Sequence, residues 1–406
     1  MDKSLTQTRI EIFLLFIFCL FIMPCVYMDY DMGFWREWAL YIHQHGLSNT
    51  YNNARINYFP VYIYALYIFD LLQHTDANII HHINYIKVVF LCFDFLPIVV
   101  LCCFRQKLLS FKIPYLFLLL NIAYLFNSMI WGQLDSIYTN LAFLSIITAV
   151  FYPGTGILLY LLALNTKLQA IEFLPVVAIV CLYSIRNIKT VFLALVSVIC
   201  LQVLIWLPFI NTGGISRLFY ITTHSVDLYN KLSICAFNIW YLIEPGNPYF
   251  INDKDIYFLL SYKTIGLLLF SISGLLVIIP LAKRLWKLRT ANLAIDPRTY
   301  EMLFLSTGLL CLYFFYFNSQ MHERYAHPII IFFFFYAVAS KNYKLYILAS
   351  IPYLLSLDKC FPDYLPIIHY KIIFASRIIA IWYAAKVVYG SYLFYRLMRK
   401  TEVVKS

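Results

Sequence analysis

Residues 11–38 read EIFLLFIFCLFIMPCVYMDYDMGFWREW, and the parsing of this stretch decides the fold class. From Ile12 to Met28 no residue is charged, and a run of that length suits one transmembrane helix. Asp29 and Asp31 follow directly, where the span should end. Acidic groups at a bilayer surface are costly and need a physical reason. Phe34, Trp38, Tyr41 and Ile42 then recur at helical spacing, so this piece is expected to lie along the membrane as an amphipathic helix. We take Asp31 as the candidate catalytic base, facing the non-cytoplasmic side.

The rest of the chain repeats the apolar signal. Of 406 residues, 62% are hydrophobic and 13% charged, with 35 Tyr and 35 Phe, and the mean hydropathy is +0.75. A soluble domain cannot hide that much apolar surface. The runs lack the alternation of an outer-membrane barrel, so the expected class is an all-α, polytopic integral membrane protein. A formal net charge of +11 would suggest nucleic acid in a soluble protein. Here Lys and Arg in cytoplasmic loops explain it, and no nucleic-acid partner is expected. The ten cysteines, among them Cys92, Cys102, Cys103, Cys181, Cys200 and Cys311, have neither metal-site nor disulfide spacing and read as small core residues. No small-residue cleavage site precedes the acidic stretch, so the first run reads as a retained span.

Setting apolar runs against flanking charge predicts about 12 transmembrane helices in a single membrane-embedded domain, 1–406. Cytoplasmic markers are Lys3 with Arg9, Arg105 with Lys107 and Lys112, Arg186 with Lys189, Lys283 to Arg289, Lys341 with Lys344, and the tail from Arg396 to Lys405. Two long external loops remain, 29–85 and 210–257, and a shorter one from Asp358 to Lys371. Asn57-Tyr58-Phe59-Pro60 breaks the first loop before Val61 to Leu72, a piece too short to span comfortably. A third span is expected from Pro114 to Ile130, and the stretch Ile157 to Tyr183 must cross twice, turning at Asn165-Thr166-Lys167.

Four polar clusters fall on one predicted face: Asp29 to Glu37, Gln133 to Asp135, Lys167 with Gln169, and His322 to His327. A lipid phosphate at headgroup depth requires cations and hydrogen-bond donors, which Arg324, His322 and Lys167 supply. Transfer to a hydroxyl requires a base, which Asp31 supplies. Plainer roles stand beside these: Asp31 as N-cap of the interfacial helix, Asp135 as N-cap of the fourth span, and Trp131 as an interface anchor. Asp94 is expected to hydrogen-bond between helices, with Lys87 nearby. His43, His45, His81 and His82 read as loop residues. No metal site is expected, because His322, Glu323 and His327 lack an i, i+4 ligand pair.

These residues resemble the GT-C superfamily of polytopic glycosyltransferases that use a polyprenyl-phosphate sugar as donor, over most of the chain. Asp31 with Trp38 looks like the acidic motif of the family's first external loop. Asn57-Tyr58-Phe59-Pro60 resembles its Asp-Tyr-Pro-Pro element with two departures, and Trp131-Gly132-Gln133-Leu134-Asp135-Ser136 is the most specific match. Lys167-Leu168-Gln169-Ala170 resembles a Lys-Pro-Gln-Ala element. Ser233-Ile234-Cys235-Ala236-Phe237-Asn238-Ile239-Trp240 resembles an element of the second external loop, and Met321-His322-Glu323-Arg324-Tyr325 a late motif near the donor phosphate. Within the superfamily the similarity is to prokaryotic relatives of the GPI mannosyltransferase 2 and lipid-linked-oligosaccharide glucosyltransferase families.

The resemblance implies metal-independent, inverting hexosyl transfer, of mannose or glucose type, to a hydroxyl of a lipid-linked or cell-surface glycan. Asp31 is then the base, and Arg324, His322 and Lys167 hold the donor phosphate. Asp135, Gln133, Trp131, Glu323, Gln169, Asn238 and Tyr58 are substrate-binding candidates. No cofactor is implied, and the expected setting is a monomer among the lipids of a bacterial plasma membrane, both termini cytoplasmic. Two alternatives stay open: a transporter or flippase of a polyprenyl-linked sugar, which should carry polar residues through the bilayer midplane, and a non-catalytic homologue that binds the lipid carrier.

Overall fold

The computed structural model describes residues 5–26, 28–104, 112–224, 229–360 and 375–402. The expected markers Lys3, Arg105, Lys107 and Lys405, and the external segment 361–371, lie outside the described residues.

The protein is an all-α, multi-pass membrane protein. Six helices among the described residues are long and apolar enough to cross a membrane: Leu5–Cys25, Asp76–Cys102, Ile188–Thr212, Tyr262–Thr290, Pro297–Phe317 and Ser376–Arg399. Shorter apolar helices occur at Ile122–Trp131, Pro153–Leu164 and Leu168–Ser184. The expected turn at Asn165-Thr166-Lys167 does separate two helical pieces, Pro153–Leu164 and Leu168–Phe173. The expected third span is not continuous. Helical pieces Leu116–Leu119 and Ile122–Leu125 are interrupted at Asn121, whose side-chain oxygen accepts from the Ala123 amide at 3.0 Å and so competes with the helical ladder.

The chain divides into two compact units, one of residues 1–110 and 125–226, the other of 111–124 and 227–406. In the first unit, the amphipathic helix forms as Asp29–His45. Asp29 and Asp31 lie in its first turn, where negative charge favours the helix dipole, and Gly46 ends it at φ +77°. The apolar face differs from the expected one. Met32, Trp35, Trp38, Ala39 and Ile42 are buried, whereas Phe34 is 48% exposed. Pro60 opens the next helix, Pro60–Gln73, at the expected break.

Helices Asp135–Ala149 and Pro153–Leu164 form a close hairpin. A β-carbon on Gly156 would sit 2.5 Å from that of Ala149, so only glycine permits this approach, and Ser145 donates to the Gly156 carbonyl at 2.7 Å. Asp94 is an interhelical hydrogen-bonding group as expected, accepting from Ser128. Lys87 donates to the carbonyls of Val26 (2.8 Å) and Ile130 (3.1 Å).

In the second unit, helices Pro297–Phe317 and His327–Ser340 bury nearly every side chain. Their apolar residues surround the whole helix, as interior membrane helices require. Two short strands, Ser233–Ile234 and Met321–His322, pair in parallel.

Candidate active site

The helix Asp29–His45 sets Asp31 in its first turn, with Trp35 one turn on and on the same face. Asp31 is not the N-cap, because that position belongs to Met28 and no side chain caps it. Its carboxylate is instead held from a hundred residues away. Trp131 Nε1 donates to Asp31 Oδ2 at 2.6 Å, and Gln133 Nε2 donates to the same oxygen. Among the described residues no hydrogen bond reaches Oδ1. The carboxylate is thus anchored through one oxygen.

The turn that delivers Trp131 and Gln133 depends on Gly132, whose φ of +77° disfavours any β-carbon. Such an atom would also meet Met32 Sδ at 2.5 Å and Lys87 Cε at 3.0 Å. Trp35 Nε1 donates to the Gly132 carbonyl at 2.8 Å, which ties the turn to the Asp31 helix.

Asp135 begins the helix Asp135–Ala149, but the N-cap position is Leu134, so the capping role expected of Asp135 is not what the structure shows. The carboxylate is fully buried and pairs with Lys167 Nζ at 2.5 Å, with Asn127 Nδ2 at 3.4 Å from its other oxygen. Lys167 Nζ also lies 5.9 Å from the Tyr58 ring centroid and 5.6 Å from that of Tyr138. Trp131 is buried rather than an interface anchor.

Four aromatic rings pack beside Asp31. Trp35 meets Trp38 at 5.1 Å, Tyr58 at 5.4 Å and Tyr62 at 4.7 Å between centroids. Burial pushes the Tyr62 hydroxyl well above the ordinary phenol range, and Tyr58 and the charge on Asp31 push the same way, so it stays a donor. Trp38 Nε1, the Tyr62 hydroxyl, Gln133 Oε1 and Gln169 Oε1 are buried without a hydrogen-bond partner among the described residues. Each such group costs about 1–3 kcal/mol when unsatisfied. The Trp35 contacts are edge-to-face, at 70–71° between ring planes.

The second unit holds the remaining candidates. The parallel strand pair sets the segment 233–240 against 321–325, two motifs that the sequence separates widely. Asn238 spends its amide on the carbonyls of Phe315 (3.4 Å) and Asn318 (3.2 Å), and Trp240 Nε1 donates to Asn318 at 3.1 Å. Asn238 therefore positions the end of Pro297–Phe317. His322 packs edge-on to Tyr229 at 5.3 Å, and Arg324 lies 3.7 Å from the buried Glu323 carboxylate. His327 stacks on Tyr124 at 5.1 Å.

Three of the four expected polar clusters thus contribute to one arrangement in the first unit, comprising Asp31, Trp131, Gln133, Asp135, Lys167 and Tyr58. Arg324, His322, Glu323 and Asn238 belong to the second unit. Trp35 and Tyr62 were not singled out from the sequence. The available signal was Trp35 at i+4 from Asp31, which places both on one helix face. No protein-family model matches the chain, and no curated protein matches it.

Proposed function

We propose that the protein is an inverting GT-C-type glycosyltransferase that moves a hexose from a polyprenyl-phosphate donor to a hydroxyl of a lipid-linked or cell-surface glycan. The observation that carries this reading is the asymmetric holding of Asp31, whose Oδ2 is fixed by Trp131 and Gln133. In the proposed step the acceptor oxygen bonds to the anomeric carbon as the bond from that carbon to the phosphate oxygen breaks. The acceptor proton passes to Asp31 Oδ1, and polyprenyl phosphate leaves.

Tyr58, partly exposed beside the buried Trp35, Trp38 and Tyr62, offers an apolar ring face to a sugar. The role proposed for Arg324 and His322 with the donor phosphate rests on their chemistry and their motif. Lys167 is already committed to Asp135, so its contribution is to fix the Trp131–Asp135 segment as much as to meet an anion. About 12 crossings, a non-cytoplasmic site in a bacterial plasma membrane and a monomeric state complete the proposal.

Purified protein in liposomes, given a panel of polyprenyl-phosphate hexoses and a glycolipid acceptor, should yield a product whose anomeric configuration is opposite to the donor's. Translocation of the donor without a new glycosidic bond would make the protein a transporter. Donor binding without transfer for every sugar would make it a carrier-binding homologue.

A further inference from the structure

Cys235, Glu323 and Cys360 are far apart in sequence, yet their sulfur and carboxylate oxygen atoms all lie within 4.8 Å of one another. The strand pairing explains two of the three, because Cys235 follows Ser233–Ile234 and Glu323 follows the paired Met321–His322. Cys360 arrives as the last residue of the helix Lys344–Cys360. Its sulfur lies 4.0 Å from the Cys235 carbonyl oxygen.

Two features need an explanation that packing does not give. Cys235 takes a φ of +55° and forms a bridge with His322 there. A left-handed conformation costs a side-chain-bearing residue about 1–2 kcal/mol and tends to persist where function holds it. Glu323, only 4% exposed, brings a carboxylate against two thiols. That carboxylate also meets Arg324 at 3.7 Å, and with the two thiols it offers a cation three donor atoms.

We propose that Cys235, Glu323 and Cys360 form a three-ligand site for a divalent cation of the zinc class. Two sulfurs and one oxygen match the borderline-soft donor set that zinc prefers, and three protein ligands leave a fourth position for water. Zn–S bonds of about 2.3 Å and a Zn–O bond of about 2.0 Å in tetrahedral geometry set the donor atoms about 3.5–3.8 Å apart, so the cluster needs to close by no more than about 1.3 Å. Binding releases one proton from each thiol. The cation's two charges against two thiolates and a carboxylate leave one negative charge, beside Lys359 and Arg324. This inference goes beyond glycosyl transfer and does not depend on it.

The test is cobalt titration of the full-length protein in detergent with a reductant, after stripping with a chelator. One equivalent should produce a thiolate-to-cobalt charge-transfer band that zinc abolishes. Cys235→Ser and Cys360→Ser should each lose the band, Glu323→Gln should weaken binding, and Cys200→Ser should leave it intact. In the unmodified protein, zinc should protect Cys235 and Cys360 from alkylation, a readout that requires no variant. No band in the unmodified protein, a band that survives both serine variants, or a Cys235–Cys360 disulfide with no cobalt binding after reduction would overturn the proposal.

Discussion

At the scale of single residues, the pair Asp135–Lys167 shows how strongly the candidate site is bound into its unit. The Asp135 side chain is 0% and that of Lys167 9% exposed, with 2.5 Å between charged atoms. Removing one partner of such a pair strands the other charge out of water, at about 3–5 kcal/mol. Lys167→Met should therefore lower the thermal unfolding midpoint severely, while Asp135→Asn/Lys167→Met should recover much of the loss. Additive losses in this double-mutant cycle would show that the two side chains are not coupled. Asp31 differs in kind, because two uncharged donors, Trp131 and Gln133, hold it.

At the scale of elements, helix ends carry the electrostatics. Asp296 caps the helix Pro297–Phe317, accepting from the Thr299 amide at 2.8 Å, and Arg284 lies 2.6 Å from its second oxygen. Burial alone would raise the pKa of this carboxyl, but Thr299 and the Arg284 guanidinium outweigh it and hold the pKa below the usual carboxylate range. A folded-state pKa below the unfolded value means that the stabilisation is fully present above the unfolded value. It is lost as pH falls through the folded one. With the Asp296 side chain 41% exposed, solvent screening limits the effect to about 0.5–1 kcal/mol. Asp296→Asn keeps the capping oxygen and loses the charge. Its unfolding midpoint should lie below that of the unmodified protein at neutral pH and converge with it below about pH 4. A gap that stays constant into acid would mean the charge contributes nothing.

Elements also mark what was legible in the sequence. Length and composition made an all-α membrane protein with several long apolar helices legible, since those properties belong to each segment alone. The buried face of Asp29–His45 was not legible to the same degree. Phe34 and Trp35 are both large and aromatic, and their burial depends on what packs against the helix. The break at Asn121 was missed because one side-chain oxygen decides it.

At the scale of the whole molecule, the motifs Asp31, Trp131 to Asp135 and Lys167 were found in sequence, and the fold joins them across 100 and 32 positions. Those spacings hold no periodic signal, so only the chemical types of the residues pointed to a shared role. Cys235 and Cys360, 125 positions apart, gave no signal of either kind. The central claim is that this all-α membrane protein uses Asp31 as a general base for glycosyl transfer. It is tested most directly by comparing transfer rates of the purified protein and Asp31→Asn with saturating donor and acceptor. The account predicts a fall of about 100- to 10,000-fold at an unchanged unfolding midpoint. Transfer by Asp31→Asn at the unmodified rate would contradict it.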